Sequence, residues 1–203
     1  MMAGLVVVGV TVDTDDRGRL HFWGEVLNLG QEPQRWVRVD IRLLGAQQEL
    51  LAEQGDILGL EWTLPGEQNP FHIRFLTPPS QWHHYDIRLR GSLHDYRDPT
   101  VPQPHAGLVV ERVHFREIER AGLHCSLVGL LRNQSLQPAS RVKVAATLYG
   151  ADGKVVGVLS PYLVPRGVFA PGSILPFELK FYALGGEVVN YTLQAQGRLA
   201  ESG

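Results

Sequence analysis

Apolar residues recur at every second position along most of this chain, and the 3.6-residue spacing of an amphipathic helix is nearly absent. Alternation of this kind gives a strand one buried and one solvated face, as in an antiparallel sheet. Val37, Val39, Ile41 and Leu43 alternate with Arg38, Asp40 and Arg42. Val6, Val8, Val10 and Val12 are expected on one face of a first strand, with Asp13 to Gly18 as the turn that follows. The next strand is expected to point Leu20, Phe22, Gly24 and Val26 inward, with His21 and Glu25 outward. Further strands are predicted around Leu50 and Leu51, over 57–64, at Phe71/Ile73/Phe75 and at Tyr85/Ile87/Leu89.

The pattern is then written a second time. Gly24-Glu25-Val26-Leu27-Asn28 recurs as Gly129-Leu130-Leu131-Arg132-Asn133, and the shift of 129 − 24 = 105 holds through Val37/Val142, Leu43/Leu148 and Gly45/Gly150. After one inserted residue, Pro70, Phe71, Phe75, Tyr85 and Gly91 match Pro176, Phe177, Phe181, Tyr191 and Gly197. The shared positions are mostly apolar, Gly or Pro, which build a core and its corners. Seven short strands per copy, separated by Gly- and Pro-bearing turns, predict an all-β chain of two tandem immunoglobulin-like antiparallel β-sandwich domains. The first repeat is placed at 1–91 and the second at 108–203. The stretch 92–107, with Pro99, Pro102 and Pro104, reads as an extended connector, and each half is expected to fold alone.

Composition narrows the function classes. The chain has 203 residues, enough for two ordinary cores, and its 44% hydrophobic and 20% charged content is globular rather than disordered. With 19 basic and 21 acidic residues the net charge is 19 − 21 = −2, which gives no steering toward nucleic acid. No apolar run is long enough to span a bilayer. The apolar start at Gly4 to Val10 lacks a positive flank and a cleavage site, so it does not read as a signal peptide. A single cysteine, Cys125, cannot form an intrachain disulfide; it shares parity with Leu127 and Gly129 and is expected to be a buried, inert thiol.

One stretch of the second repeat is more specific. Gly129-Leu130-Leu131-Arg132-Asn133 followed by the run from Val142 to Val156, with Ala146-Thr147-Leu148-Tyr149-Gly150 at its centre, resembles the FxLYD domain family. Ala146 stands for the family's Phe and Gly150 for its Asp, and the first repeat departs further with Ile41-Arg42-Leu43-Leu44-Gly45. The resemblance implies an immunoglobulin-like sandwich of prokaryotic type, often exported or surface-anchored, with no shared catalytic activity. It carries no functional residues, so an extracytoplasmic or cell-surface location is implied by resemblance alone.

Most motif-like features have plainer readings. Asn28 and Asn133 are expected to cap strand ends by bonding the backbone two residues on. Gly24 and Gly129, mid-strand and inward, suggest a bulge or a close contact that a side chain would block. Asp13-Thr14-Asp15-Asp16-Arg17-Gly18 resembles the start of a calcium loop, but its twelfth place is Gly24 instead of a bidentate Glu, so an acidic hairpin turn is expected. His83 and His84 are adjacent on a strand, point to opposite faces and do not close on one metal ion. No cofactor is called for, and no nucleophile elbow, zincin motif or phosphate loop is present.

Two surfaces stand out. If the third, sixth and seventh strands share a sheet, Arg38, Arg42, Arg74, Arg88 and Arg90 lie on one outer face with Asp40 and Asp86 among them. On the strand from Cys125 to Arg132, Val128 and Leu130 take the outward parity that Trp23 and Glu25 hold in the first repeat. A strand apolar on both faces is usually covered. Partner contact is therefore assigned to Val128, Leu130, Arg38, Arg42, Arg88 and Arg90. The sequence reads as a non-enzymatic interaction, spacer or accessory module for a protein partner in a larger assembly. The alternative is a small-ligand or carbohydrate-binding module that stacks its ligand on Trp36, Trp62 or Trp82.

Overall fold

The structure, a computed structural model, describes residues 4–93, 98, 100–120 and 122–200. Among them there is no helix, hence none long and apolar enough to cross a membrane, and fourteen strands form four antiparallel sheets. The first repeat contains β1 (Leu5–Thr14), β2 (Leu20–Asn28), β3 (Gln34–Leu44), β4 (Leu50–Ile57), β5 (Trp62–Thr63), β6 (Gln68–Phe75) and β7 (His84–Leu93). The second contains β8 (Leu108–Arg120), β9 (Leu123–Asn133), β10 (Ala139–Tyr149), β11 (Val155–Leu159), β12 (Tyr162–Phe169), β13 (Ile174–Phe181) and β14 (Asn190–Leu199).

The two repeats share one topology. In the first, β1-β2-β6 forms one sheet, and β3 is flanked by β4, β5 and β7 in the other. In the second, β8-β9-β13 matches the former, and β10 with β11, β12 and β14 matches the latter. Each repeat is an immunoglobulin-like antiparallel sandwich, because alternating side chains of the two sheets can leave water only by facing one another. Leu20, Phe22, Val26, Phe71, Ile73 and Phe75 meet Val37, Val39, Ile41 and Leu43 in the first core. Cys125, Leu127, Leu131, Phe177, Leu179 and Phe181 are buried on one sheet of the second repeat, and Val142, Val144 and Ala146 on the other.

Strand ends and corners are held by the same devices twice. Asn28 Nδ2 donates to the carbonyls of Glu32 and Thr63, both at 2.9 Å, while its Oδ1 accepts from Gly30 N at 2.9 Å. Asn133 repeats this with Gln137 O, Phe169 O and Ser135 N. These fully satisfied buried amides close the turns, as expected of Asx residues. Gly24 and Gly129 make the expected close contact: a Cβ there would stand 2.6 Å and 2.7 Å from the rings of their cross-strand partners Phe71 and Phe177.

Compact packing does not follow the repeat boundary. The described residues up to Leu93 group with Leu148–Val158 and Gly185–Asn190 in one compact unit, and the remainder forms the other. The first unit thus includes the hairpin between β10 and β11. In the stretch 92–107, Ser92 and Leu93 pair with β3, and Gln103 and His105 bond to the backbone of β14 residues. Residues 94–97 and Pro99 of that stretch lie outside the described residues.

Two strand readings are corrected. β1 does not keep Val6, Val8, Val10 and Val12 on one face, since a bulge between Val8 and Thr11 switches its parity. Val7, Val10 and Val12 pack against the core while Val6 is exposed. In β2, His21, Trp23 and Glu25 are not solvated. They are 1%, 2% and 4% exposed, because the compact unit supplies a layer over the outer face of the sheet.

Candidate interaction surfaces

The covered face of β2 holds a polar stack that sequence reasoning missed. His21, Trp23 and His72 lie nearly parallel, with ring centroids 5.0 to 5.1 Å apart and interplanar angles of 8° to 13°. His21 Nε2 is 3.1 Å from Asp15 Oδ2 and His21 Nδ1 is 2.9 Å from His72 Nε2. Asp15 is a carboxylate, held well below the usual range chiefly by Arg19, so the His21 Nε2–H donates to it. Burial, with His21 and Arg74 nearby, pushes His72 down to about 4 and keeps it neutral at pH 7. The layer above includes Tyr149, whose hydroxyl lies 3.0 Å from both carboxylate oxygens of Glu25, and Gly185, where a Cβ would stand 2.8 Å from the Trp23 ring.

Asp15 is the centre of the acidic turn. Its Oδ1 accepts from the backbone N–H groups of Arg17 and Arg19, both at 3.0 Å, and its Oδ2 pairs with the Arg19 guanidinium. Asp15 is therefore a hairpin cap. Beside His72 and Arg74 an open groove of ≈ 590 Å³ runs along Ala52, Gln54 and Asp56.

The arginine face is assembled only in part. Arg38, Arg42, Arg88 and Arg90 come together on β3 and β7, with Arg38 opposite Arg90, Asp40 opposite Arg88 and Arg42 opposite Asp86. Arg74 is not among them: it lies on β6, in the other sheet, opposite His21. The face is an interleaved charge lattice. Arg38 Nε donates to Asp40 Oδ1 at 2.7 Å, Arg90 Nε stands 3.0 Å from Asp40 Oδ2 without hydrogen-bond alignment, and Arg42 and Arg88 both reach Asp86. Asp40 is 2% exposed beneath two arginines, and Gly55 opposite leaves room for its carboxylate. Lattices of this kind are usually solvated rather than strongly steering.

Val128 and Leu130 take the outward side of β9, where both are half-buried. Leu130 lies between Glu111 and Pro176, Val128 between His114 and Glu178, and Arg132 between Val109 and the 47% exposed Ile174. Arg132 Nε and Glu111 Oε1, 2.6 Å apart, rim this apolar patch. Cys125 faces the other way, 1% exposed, its thiol pushed up to about 11 by burial and then by Glu117.

The tryptophans do not form a platform. Trp62 is 1% exposed, Trp82 packs against the first core, and Trp36 is half-buried beside the Arg35 guanidinium, 5.4 Å from its ring. His83 and His84 are both exposed.

No protein-family model matches this chain, and no curated protein matches it. Among solved structures it is similar to red sea bream transglutaminase, with 10% identity and a TM-score of 0.30 over 95% of this chain. The chain spans 29% of that protein's length.

Proposed function

We propose that this chain is a non-enzymatic interaction or spacer module of the FxLYD type, working in a larger extracytoplasmic or cell-surface assembly. The observation that carries this reading is the contrast between equivalent sheet faces. In the first repeat the outer face of β1-β2-β6 is sealed, with Trp23 and Glu25 at 2% and 4% exposure. In the second the same face carries Val128 and Leu130 half-buried, with Ile174 and Pro176 exposed beside them. Fully burying an exposed Val or Leu side chain contributes about 1.5–3 kcal/mol, and a partner recovers the part of this that the half-buried Val128 and Leu130 still lack. The charge lattice on β3 and β7 supplies a polar, soluble flank.

The test is Leu130→Glu in the full chain, compared with the parent in the native cells. The variant should melt at the parental temperature and be lost from the high-mass envelope fraction. If it stays in that fraction at the parental level, or if the parent itself is free in the cytoplasm, the reading is wrong.

A further inference from the structure

The internal repeat identifies an occupant for the open face. In the first compact unit the β10–β11 hairpin lies on the outer face of β1-β2-β6: Val155 is completely buried, Val156 is 4% exposed, and a Cβ on Gly9 would stand 3.5 Å from Val155 Cγ2 and 3.9 Å from Gly153 O. The first repeat owns the equivalent hairpin, between β3 and β4. Gly45 N donates to Glu49 O at 2.9 Å and Gln48 N to Gly45 O at 3.1 Å, as Gly150 N does to Lys154 O and Gly153 N to Gly150 O. Gln48 and Gly153 both have positive φ, 66° and 76°. Leu50 therefore stands where Val155 stands, and Leu50 is 49% exposed.

The receiving faces correspond equally well. β8 repeats the bulge of β1, with register breaks at Val8/Thr11 and at Glu111/His114, so that Gly9 corresponds to Arg112. Both are left-handed, with φ of 61° and 54°. On the first repeat the bulge meets the hairpin on either side of Lys154; on the second the bulge presents the exposed Arg112, and the first repeat's hairpin carries Glu49 at the position of Lys154. Arg112 on the face and Glu49 on the hairpin, whose Oε2 also accepts from Gln47 N within its turn, carry opposite charges. Among the described residues, Val128 and Leu130 on the face of the second repeat are only half-buried, and Leu50 on the hairpin of the first is exposed.

Building on the interaction-module reading, we infer that the β8-β9-β13 face, through Val128, Leu130 and Arg112, docks the β3–β4 hairpin of a second copy of this chain, through Leu50 and Glu49, in a head-to-tail contact. Such a contact uses two different surfaces, so copies add head to tail, and the rotation between them decides whether the product closes, as a reciprocal pair or a larger ring, or stays an open chain.

Sedimentation velocity of the full chain from about 1 to about 200 µM, the range that reads a contact of micromolar strength, should show mass growing beyond the monomer with concentration. Leu130→Glu and Leu50→Glu should each weaken self-association by about tenfold or more. Mixing the two should restore a dimer that grows no further, because one variant keeps a sound hairpin and the other a sound face. Arg112→Glu and Glu49→Arg, both at exposed or turn positions away from the cores, should behave alike: each weak alone, and recovered together. A chain monomeric throughout, self-association that neither Leu130→Glu nor Leu50→Glu weakens, or a mixture without recovery overturns the proposal. A monomer that still needs Leu130 to enter the native high-mass fraction overturns self-association alone, whereas loss of both results overturns the module reading as well.

Discussion

The Tyr149 hydroxyl shares its proton between the two carboxylate oxygens of Glu25, 3.0 Å from each, across 124 residues of sequence. The bond ties the β10–β11 region to the buried outer side of β2. A hydrogen bond to a charged group contributes about 1.5–3 kcal/mol, and its loss leaves a buried carboxylate short of a donor. Tyr149→Phe should therefore lower stability in urea melts by about 2 kcal/mol, and a double-mutant cycle with Glu25→Gln should show coupling above about 0.5 kcal/mol. Additive effects would show that the pair does not interact energetically.

A fragment ending at residue 98 keeps β1 to β7 and the first core, yet lacks Leu148–Val158 and Gly185–Asn190. Its β2 face then exposes His21, Trp23 and Glu25. The fragment should bind an apolar fluorescent dye and show red-shifted tryptophan emission relative to the whole chain, with Trp23→Phe removing most of the shift. Emission identical to that of the full chain would mean that the added layer does not bury Trp23.

Gly55 sits opposite Asp40, where a Cβ would collide with the Asp40 carboxylate and stand 2.7 Å from Val39 O. Gly55→Ala should cost about 1–3 kcal/mol, the usual penalty for overfilling a packed site. Thermal melts measure it, and an unchanged midpoint would refute the role given to this glycine.

Stability should also depend on pH through His72. Its folded value of about 4 lies below the ordinary 6.5, so between these limits the unfolded chain binds the extra proton. Stability is complete above about 6.5 and falls as the pH drops toward 4, by no more than about 3 kcal/mol. Asp15, held low by Arg19, adds its own loss only in more acidic solution. Denaturant melts between pH 4 and 7 should show this slope in the parent and a clearly smaller one in His72→Gln. Equal slopes would assign the effect elsewhere.

Much of this architecture is legible in period-2 alternation, because a sandwich must bury one parity of every strand. Phe71, Ile73 and Phe75, or Val142 and Val144, declare their face with no tertiary knowledge. Parity fails where the backbone slips, as at the Gly9 bulge, whose φ of 61° no periodicity encodes. It also fails where a distant segment adds a second layer. Trp23 and Glu25 are buried by Tyr149 and Gly185, and no local window contains those contacts. The signal available was Trp23 itself, a large apolar side chain at an outward parity. Arg74 went astray for another reason: parity assigns a face but not a sheet, and β6 joins β2 rather than β3. Arg38, Arg42, Arg88 and Arg90 share a face because β3 and β7 pair.

The late position of Gly185–Asn190 in the chain sets an order of assembly during synthesis. A ribosome adding roughly 5–20 residues per second needs roughly 8–30 s to travel from Trp23 to the segment that seals it. A first sheet formed in that interval would lack its covering layer. His21, Glu25 and His72 are well suited to the wait, since polar groups around Trp23 keep an unsealed sheet wetted and less prone to stick to its neighbours. The same side chains that form a buried layer in the finished protein would leave such a sheet with polar groups around Trp23.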